Sequence, residues 1–111
     1  MGLKSMSDEI IRKPVLIVDD DPHVLLSVLV TLENAGYQVT TAESGKACIE
    51  ILRPGFSGII LLDVMMPDMD GWDTIRAIKD EHLDAHILIA MLTAKINPDE
   101  KMVGLEDYVF D

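Results

Sequence analysis

Hydrophobic positions in this chain follow two spacings in alternation. Short, nearly continuous apolar runs occur at Val15-Leu16-Ile17-Val18, at Gly58 to Leu62 and at His86 to Leu92. Between them, apolar residues recur every three or four positions. Runs of this length, rich in β-branched residues, predict buried strands, and the intervening spacing predicts amphipathic helices. The first strand covers Pro14 to Val18. Pro22 suits the first turn of a helix whose inner face is Leu25, Val28, Leu29 and Leu32 and which stops near Gly36. Gln38 to Ala42 reads as a second, more polar strand. Ser44 then caps a helix with Ala47, Cys48, Ile51 and Leu52 on its apolar face, ended by Pro54-Gly55. The third strand, Gly58 to Leu62, leads to a helix over Gly71 to Glu81 with Trp72, Ile75 and Ile78 inward. A fourth strand over His86 to Leu92 is followed by a helical stretch opened by Asn97-Pro98 and running towards Leu105.

Strands that alternate with helices at these spacings build βαβ crossovers. Central strands apolar on both faces belong to a parallel sheet covered by helices on both sides. The fold class is therefore a doubly wound α/β sandwich. A chain of 111 residues makes one domain with a single core. Residues 1–13 are polar and aperiodic and read as a lead, in part vector-derived or flexible, ahead of a domain over residues 14–111. With 49% hydrophobic residues the composition is that of a folded domain. No apolar run reaches bilayer length and no signal peptide core is present, so a cytoplasmic protein without membrane contact is expected. The single cysteine, Cys48, excludes an internal disulfide and fits a reducing compartment as a buried structural thiol. A formal charge of −11 argues against direct nucleic-acid binding and favours cations or basic partner faces.

The chemistry concentrates at strand ends. Asp63 closes the third strand, Asp19-Asp20-Asp21 close the first, and Thr93 follows the fourth. In a doubly wound sheet, ligands bind beyond the carboxyl ends of the strands, so one crevice gathers these residues. Crowded carboxylates repel one another, and a bound hard cation offsets that repulsion. Oxygen donors without His or Cys favour Mg²⁺ over zinc. Mg²⁺ beside a carboxylate suggests phosphoryl chemistry, with an Asp as nucleophile. Thr93 would offer its hydroxyl to the transferred group, and small Ala94 leaves it room. Other polar residues have plainer readings. Asp68, Asp70 and Asp73 read as solvated, with Asp70 suited to cap the third helix. Met65, Met66 and Met69 read as loop and core packing, His23, His82 and His86 as surface residues, and Trp72 and Tyr108 as packing residues.

Three segments, Leu16-Ile17-Val18-Asp19-Asp20-Asp21-Pro22, Asp63-Val64-Met65-Met66-Pro67-Asp68-Met69-Asp70-Gly71 and Met91-Leu92-Thr93-Ala94-Lys95, resemble in order the motifs of response regulator receiver domains of two-component signalling. The resemblance covers about Pro14 to Asp111. It implies a chemotaxis-regulator-like, flavodoxin-like sheet of order 2-1-3-4-5. It also implies that Asp63 accepts a phosphoryl group from a sensor histidine kinase or a histidine phosphotransfer protein. By the same resemblance Asp20 binds Mg²⁺ directly, Asp19 assists, and Asp63 and the backbone carbonyl of Met65 complete the protein ligands. Asp21 stays outside them. Thr93 bonds the phosphoryl group and acts as the switch, while the Met65 and Lys95 side chains tune its hydrolysis. Such a domain catalyses its own phosphorylation and dephosphorylation but is a signalling module rather than a metabolic enzyme.

The family's lysine, in a Lys-Pro pair after the fifth strand, has no counterpart here and by family spacing falls about four residues past Asp111. On this reading the chain ends before strand 5 and helix 5, and an output domain beyond residue 111 is expected. It also leaves the fourth strand as an exposed edge, an expected route to dimers. Competing readings fare worse. A haloacid-dehalogenase-type phosphatase wants Asp-x-Asp followed by Thr or Val, where Pro22-His23 stand. A flavodoxin-type binder wants a Ser/Thr/Gly loop where the acids stand. The remaining alternative is a non-catalytic pseudo-receiver that serves only as an interaction module.

Overall fold

The structure, a computed structural model, describes residues 14–92 and the backbone of residues 109–110. The elements run β1 (Pro14–Val18), α1 (Pro22–Asn34), β2 (Gln38–Ala42), α2 (Gly45–Leu52), β3 (Gly58–Leu62), α3 (Gly71–Asp80), β4 (Ile87–Met91) and β5 (Val109–Phe110). They form one sheet of order β2-β1-β3-β4-β5 with every neighbouring pair parallel. Seven elements lie within a residue or two of their expected bounds. The helical stretch expected over Asn97 to Leu105 lies outside the described residues. One expectation needs amending. The chain does not stop wholly short of a fifth strand, since Val109 and Phe110 pair with Ile89 and Ala90. The β4 edge is therefore partly covered rather than bare.

Crossover handedness explains the layering. The chain steps from β1 to β2 in one direction and from β2 past β1 to β3 and on to β4 in the other. Right-handed crossovers then put α1 on one face and both α2 and α3 on the opposite face. Side chains of successive strand residues alternate between these faces. On the α2/α3 side, Leu16, Val18, Ile60, Leu62 and Ile89 pack with Cys48, Leu52, Ile75 and Ile78. On the α1 side, Val15, Ile17 and Leu25 are buried, with Val28, Leu29, Leu32, Ile59 and Leu61 partly so. By the same alternation Leu88 shares the α1 side, and it is 49% exposed although its strand is flanked by β3 and β5. The inner face of α2 also differs from its sequence reading. Ile49 is buried with Cys48 and Leu52, whereas Ala47 and Ile51 are only partly covered.

Candidate functional site

The two central strands bring the acids together. β1 and β3 are adjacent and in register, with Val18 opposite Leu62, so the residues that follow them emerge side by side. The Asp63 amide donates to the Val18 carbonyl at 2.9 Å, and the Asp19 amide donates to Ala42 at 3.1 Å. These bonds carry the ladder into the site itself. One carboxylate oxygen from each of Asp19, Asp20 and Asp63 lies within 4.8 Å of the others. Asp19 and Asp63 are buried, each 5% exposed, and Asp20 is exposed.

Backbone donors hold these carboxylates in place. Asp19 Oδ1 accepts from the Asp21 amide at 2.9 Å, and Asp63 Oδ1 accepts from the Met65 amide at 3.0 Å. Burial holds the Asp19 pKa above the ordinary carboxylate value. The Asp21 amide opposes the rise, while the charge of Asp63, a hydrogen bond with it and the charge of Asp20 add to it. Asp21 itself caps α1, accepting from the His23 amide at 2.9 Å ahead of Pro22. It thus stays out of the acidic cluster while aiming Asp19.

The loop after Asp63 is pinned to the start of α3. The Gly71 amide donates to the Val64 carbonyl at 3.0 Å. A Cβ on Gly71 would lie 2.8 Å from both the Asp63 carbonyl oxygen and the Val64 Cα, so this approach is open only to glycine. Asp70 caps α3, and the cap is reciprocal: Asp70 Oδ1 accepts from the Asp73 amide at 2.8 Å and Asp73 Oδ2 from the Asp70 amide at 3.3 Å. Asp73 is thus a cap partner, where its sequence reading was a solvated residue. An acid three positions after a candidate cap is the sequence signal for this arrangement. Within the loop, Asp68 takes a left-handed backbone with φ 64°.

Thr93 and Lys95 lie outside the described residues, as does Tyr108. The Leu92 amide donates to the Leu62 carbonyl at 2.9 Å, so the chain is next to Asp63 one residue before Thr93. Trp72 and Met66 are buried packing residues, Met65 is 65% exposed, and His23, His82 and His86 are exposed. Cys48 is fully buried, and burial pushes its thiol pKa up to about 12. Two buried carboxylates and a third beside them, with oxygen as the sole donor type, fit a hard divalent cation. Among the described residues, no helix is long and apolar enough to cross a membrane.

Comparison with known proteins agrees with the geometry. Residues 15–111 match the response regulator receiver domain family. The chain is 37% identical over 103 residues to the phosphate regulon transcriptional regulatory protein PhoB of Pseudomonas aeruginosa, covering 89% of this chain and 45% of that protein. It is 38% identical over 100 residues to a probable cyclic di-GMP phosphodiesterase of Vibrio cholerae, covering 86% of this chain and 22% of that protein. The chain thus spans less than half the length of these two relatives. Among solved structures, a CheY-like receiver domain protein from Methanospirillum hungatei superposes with a TM-score of 0.83 at 57% identity, covering 88% of this chain and 78% of the other. The Thermotoga maritima response regulator TrrA, solved in complex with Mg²⁺-BeF, gives a TM-score of 0.69 at 26% identity, covering 82% of this chain and 79% of the other. With its strand order, its cluster of three strand-end aspartates and a family match running from β1 to the last residue, this chain belongs to the response regulator receiver domains of two-component systems.

Proposed function

We propose that Asp63 is the phosphoacceptor of this receiver and that residues 14–111 form the phosphorylated unit. The supporting observation is the convergence of Asp19, Asp20 and Asp63 at the ends of adjacent strands. A carboxylate oxygen of Asp63 attacks the phosphorus of a phosphohistidine on a sensor kinase or phosphotransfer protein. The P–N bond breaks, its electron pair stays on the ring nitrogen, the ring takes a proton from solvent to leave as neutral imidazole, and an acyl phosphate remains on Asp63. The Met65 amide, which donates to Asp63 Oδ1, fixes the orientation of the attacking group. Asp19, Asp20, Asp63 and the backbone carbonyl of Met65 are the residues that would hold Mg²⁺, which supplies neutralisation of charge on the phosphoryl oxygens. Thr93 would bond the phosphoryl group and carry the switch, and the position of Leu92 beside Leu62 supports this role.

The same reading gives the wider assignments. The domain acts in the cytoplasm and passes its state to an output segment beyond residue 111. The greater length of the two relatives supports that output segment. Copies associate through the β4 edge, which among the described residues is paired only at Ile89 and Ala90 on its β5 side. Acetyl phosphate with Mg²⁺ tests the central claim. Intact mass should show one added phosphoryl group, absent in Asp63→Asn. A protein extended beyond Asp111 that gains no mass, or an Asp63→Asn variant that gains the same mass, would refute it.

A further inference from the structure

A groove of about 580 Å³ lies between α2 and α3, beside the acidic cluster rather than within it. Its apolar lining comes from three elements: Ile49 of α2, Ala77 of α3, and Met66 and Met69 of the loop that leaves Asp63. Met69 lies directly against the first turn of α2, since a Cβ on Gly45 would be 2.9 Å from Met69 Cγ. Both helices run antiparallel to the strands, so their last residues share one end of the groove. There Arg53 Nε and Nη2 donate to the two carboxylate oxygens of Glu81, each at 2.9 Å, and the charges at that end cancel. The other end opens among the loops that leave β2 and β3. Glu43, Lys46 and Asp68 stand there, all exposed, and make no ion pair among the described residues. Two acids against one base leave this mouth negative, on a chain of formal charge −11.

We propose that this groove docks the apolar face of a basic amphipathic helix from a partner protein, whose cations meet Glu43 and Asp68 at the mouth. The volume falls in the range of formed binding sites and holds more than one large aliphatic side chain. Two helices flanking an apolar channel accept a third through anchors one turn apart. Methionines at the base adapt to side chains of different shape. The excess acidic charge draws a basic helix in and repels an acidic one, which supplies rate and discrimination beyond the apolar contact. Because Met66 and Met69 belong to the loop after Asp63, the partner would rest on the segment that leads directly out of the acidic cluster.

The test is binding of a fluorescently labelled synthetic Leu/Lys amphipathic helical peptide, followed by anisotropy at low and moderate salt. Phosphorylation plays no part in this readout, so its outcome is independent of the role of Asp63. Ala77→Trp fills the groove and should weaken binding about tenfold or more. The paired surface change Glu43→Gln with Asp68→Asn should weaken it by a similar factor and reduce its salt dependence. That pair leaves the core untouched and decides the question if Ala77→Trp does not fold. The proposal is overturned if the peptide binds both variants as it binds the parent, or if a Leu/Glu peptide binds equally well. It is overturned too if hexylammonium perturbs groove resonances in NMR spectra while the peptide leaves them unmoved, which would assign the groove to a small cation instead.

Discussion

Replacing Asp63 with Asn should make the metal-free domain more stable, although the residue is buried and central to the site. The carboxylate oxygens of Asp19, Asp20 and Asp63 lie within 4.8 Å of one another. At that separation, two full charges repel by about 3.5 kcal/mol at an effective dielectric constant of about 20. Solvent around exposed Asp20 reduces this figure. A net gain of about 1–3 kcal/mol remains for removing the Asp63 charge. Asn keeps the side-chain volume and the oxygen that accepts from the Met65 amide, so that hydrogen bond and the packing are retained. Urea unfolding in EDTA measures the difference. Adding Mg²⁺ should then stabilise the parent by about 2.7 kcal/mol at a hundred times its dissociation constant and stabilise the variant far less. A variant no more stable than the parent in EDTA, or equal Mg²⁺ increments for both, would show that these acids are not mutually strained and do not share the ion.

Three further outcomes follow from the same geometry. The Asp19 pKa is raised above its ordinary value of 3.8, so the folded state binds that proton more tightly than the unfolded chain. Its contribution to stability is present at acid pH and is lost as pH rises from 3.8 through the raised value. In EDTA, Asp19→Asn should flatten that fall relative to the parent, and identical pH profiles would contradict the assignment. Cys48, with a buried thiol of pKa about 12, should resist Ellman's reagent in the native protein and react at the rate of global unfolding; a fast native reaction at neutral pH would place it elsewhere. Asp70→Ala removes the side-chain half of the reciprocal cap, leaving its backbone amide to donate to Asp73, and should cost about 0.5–2 kcal/mol in urea unfolding, against no measurable loss if the cap is idle.

Much of this was legible because parallel strands covered on both faces write themselves as continuous apolar runs. Val15 to Val18 and Gly58 to Leu62 are such runs, and each ends where the polar site begins. Acids at those two ends were readable as one site because β1 and β3 are neighbours in register. The inner face of α2 was harder to phase. Its eight residues carry isoleucines at both 49 and 51, and so short a repeat does not say which of them turns inward. The duties of Asp21 and Asp73 were hidden for another reason. Both bond backbone amides within three residues, and a run of acids looks alike whether it caps, coordinates or is merely solvated. The groove between α2 and α3 was not readable at all, since it depends on how two helices separated in sequence come to rest against each other.

The amides of Asp19 and Asp63 are themselves rungs of the sheet ladder. Hydrogen exchange at these two positions should therefore be among the slowest in the domain, governed by global opening rather than by local fraying. The repulsion among the acids is set on β1 and β3, two central strands that are each paired on both sides. The site behaves as a loaded spring set in the stiffest part of the frame, and protons, a cation or chemistry are the means by which it unloads.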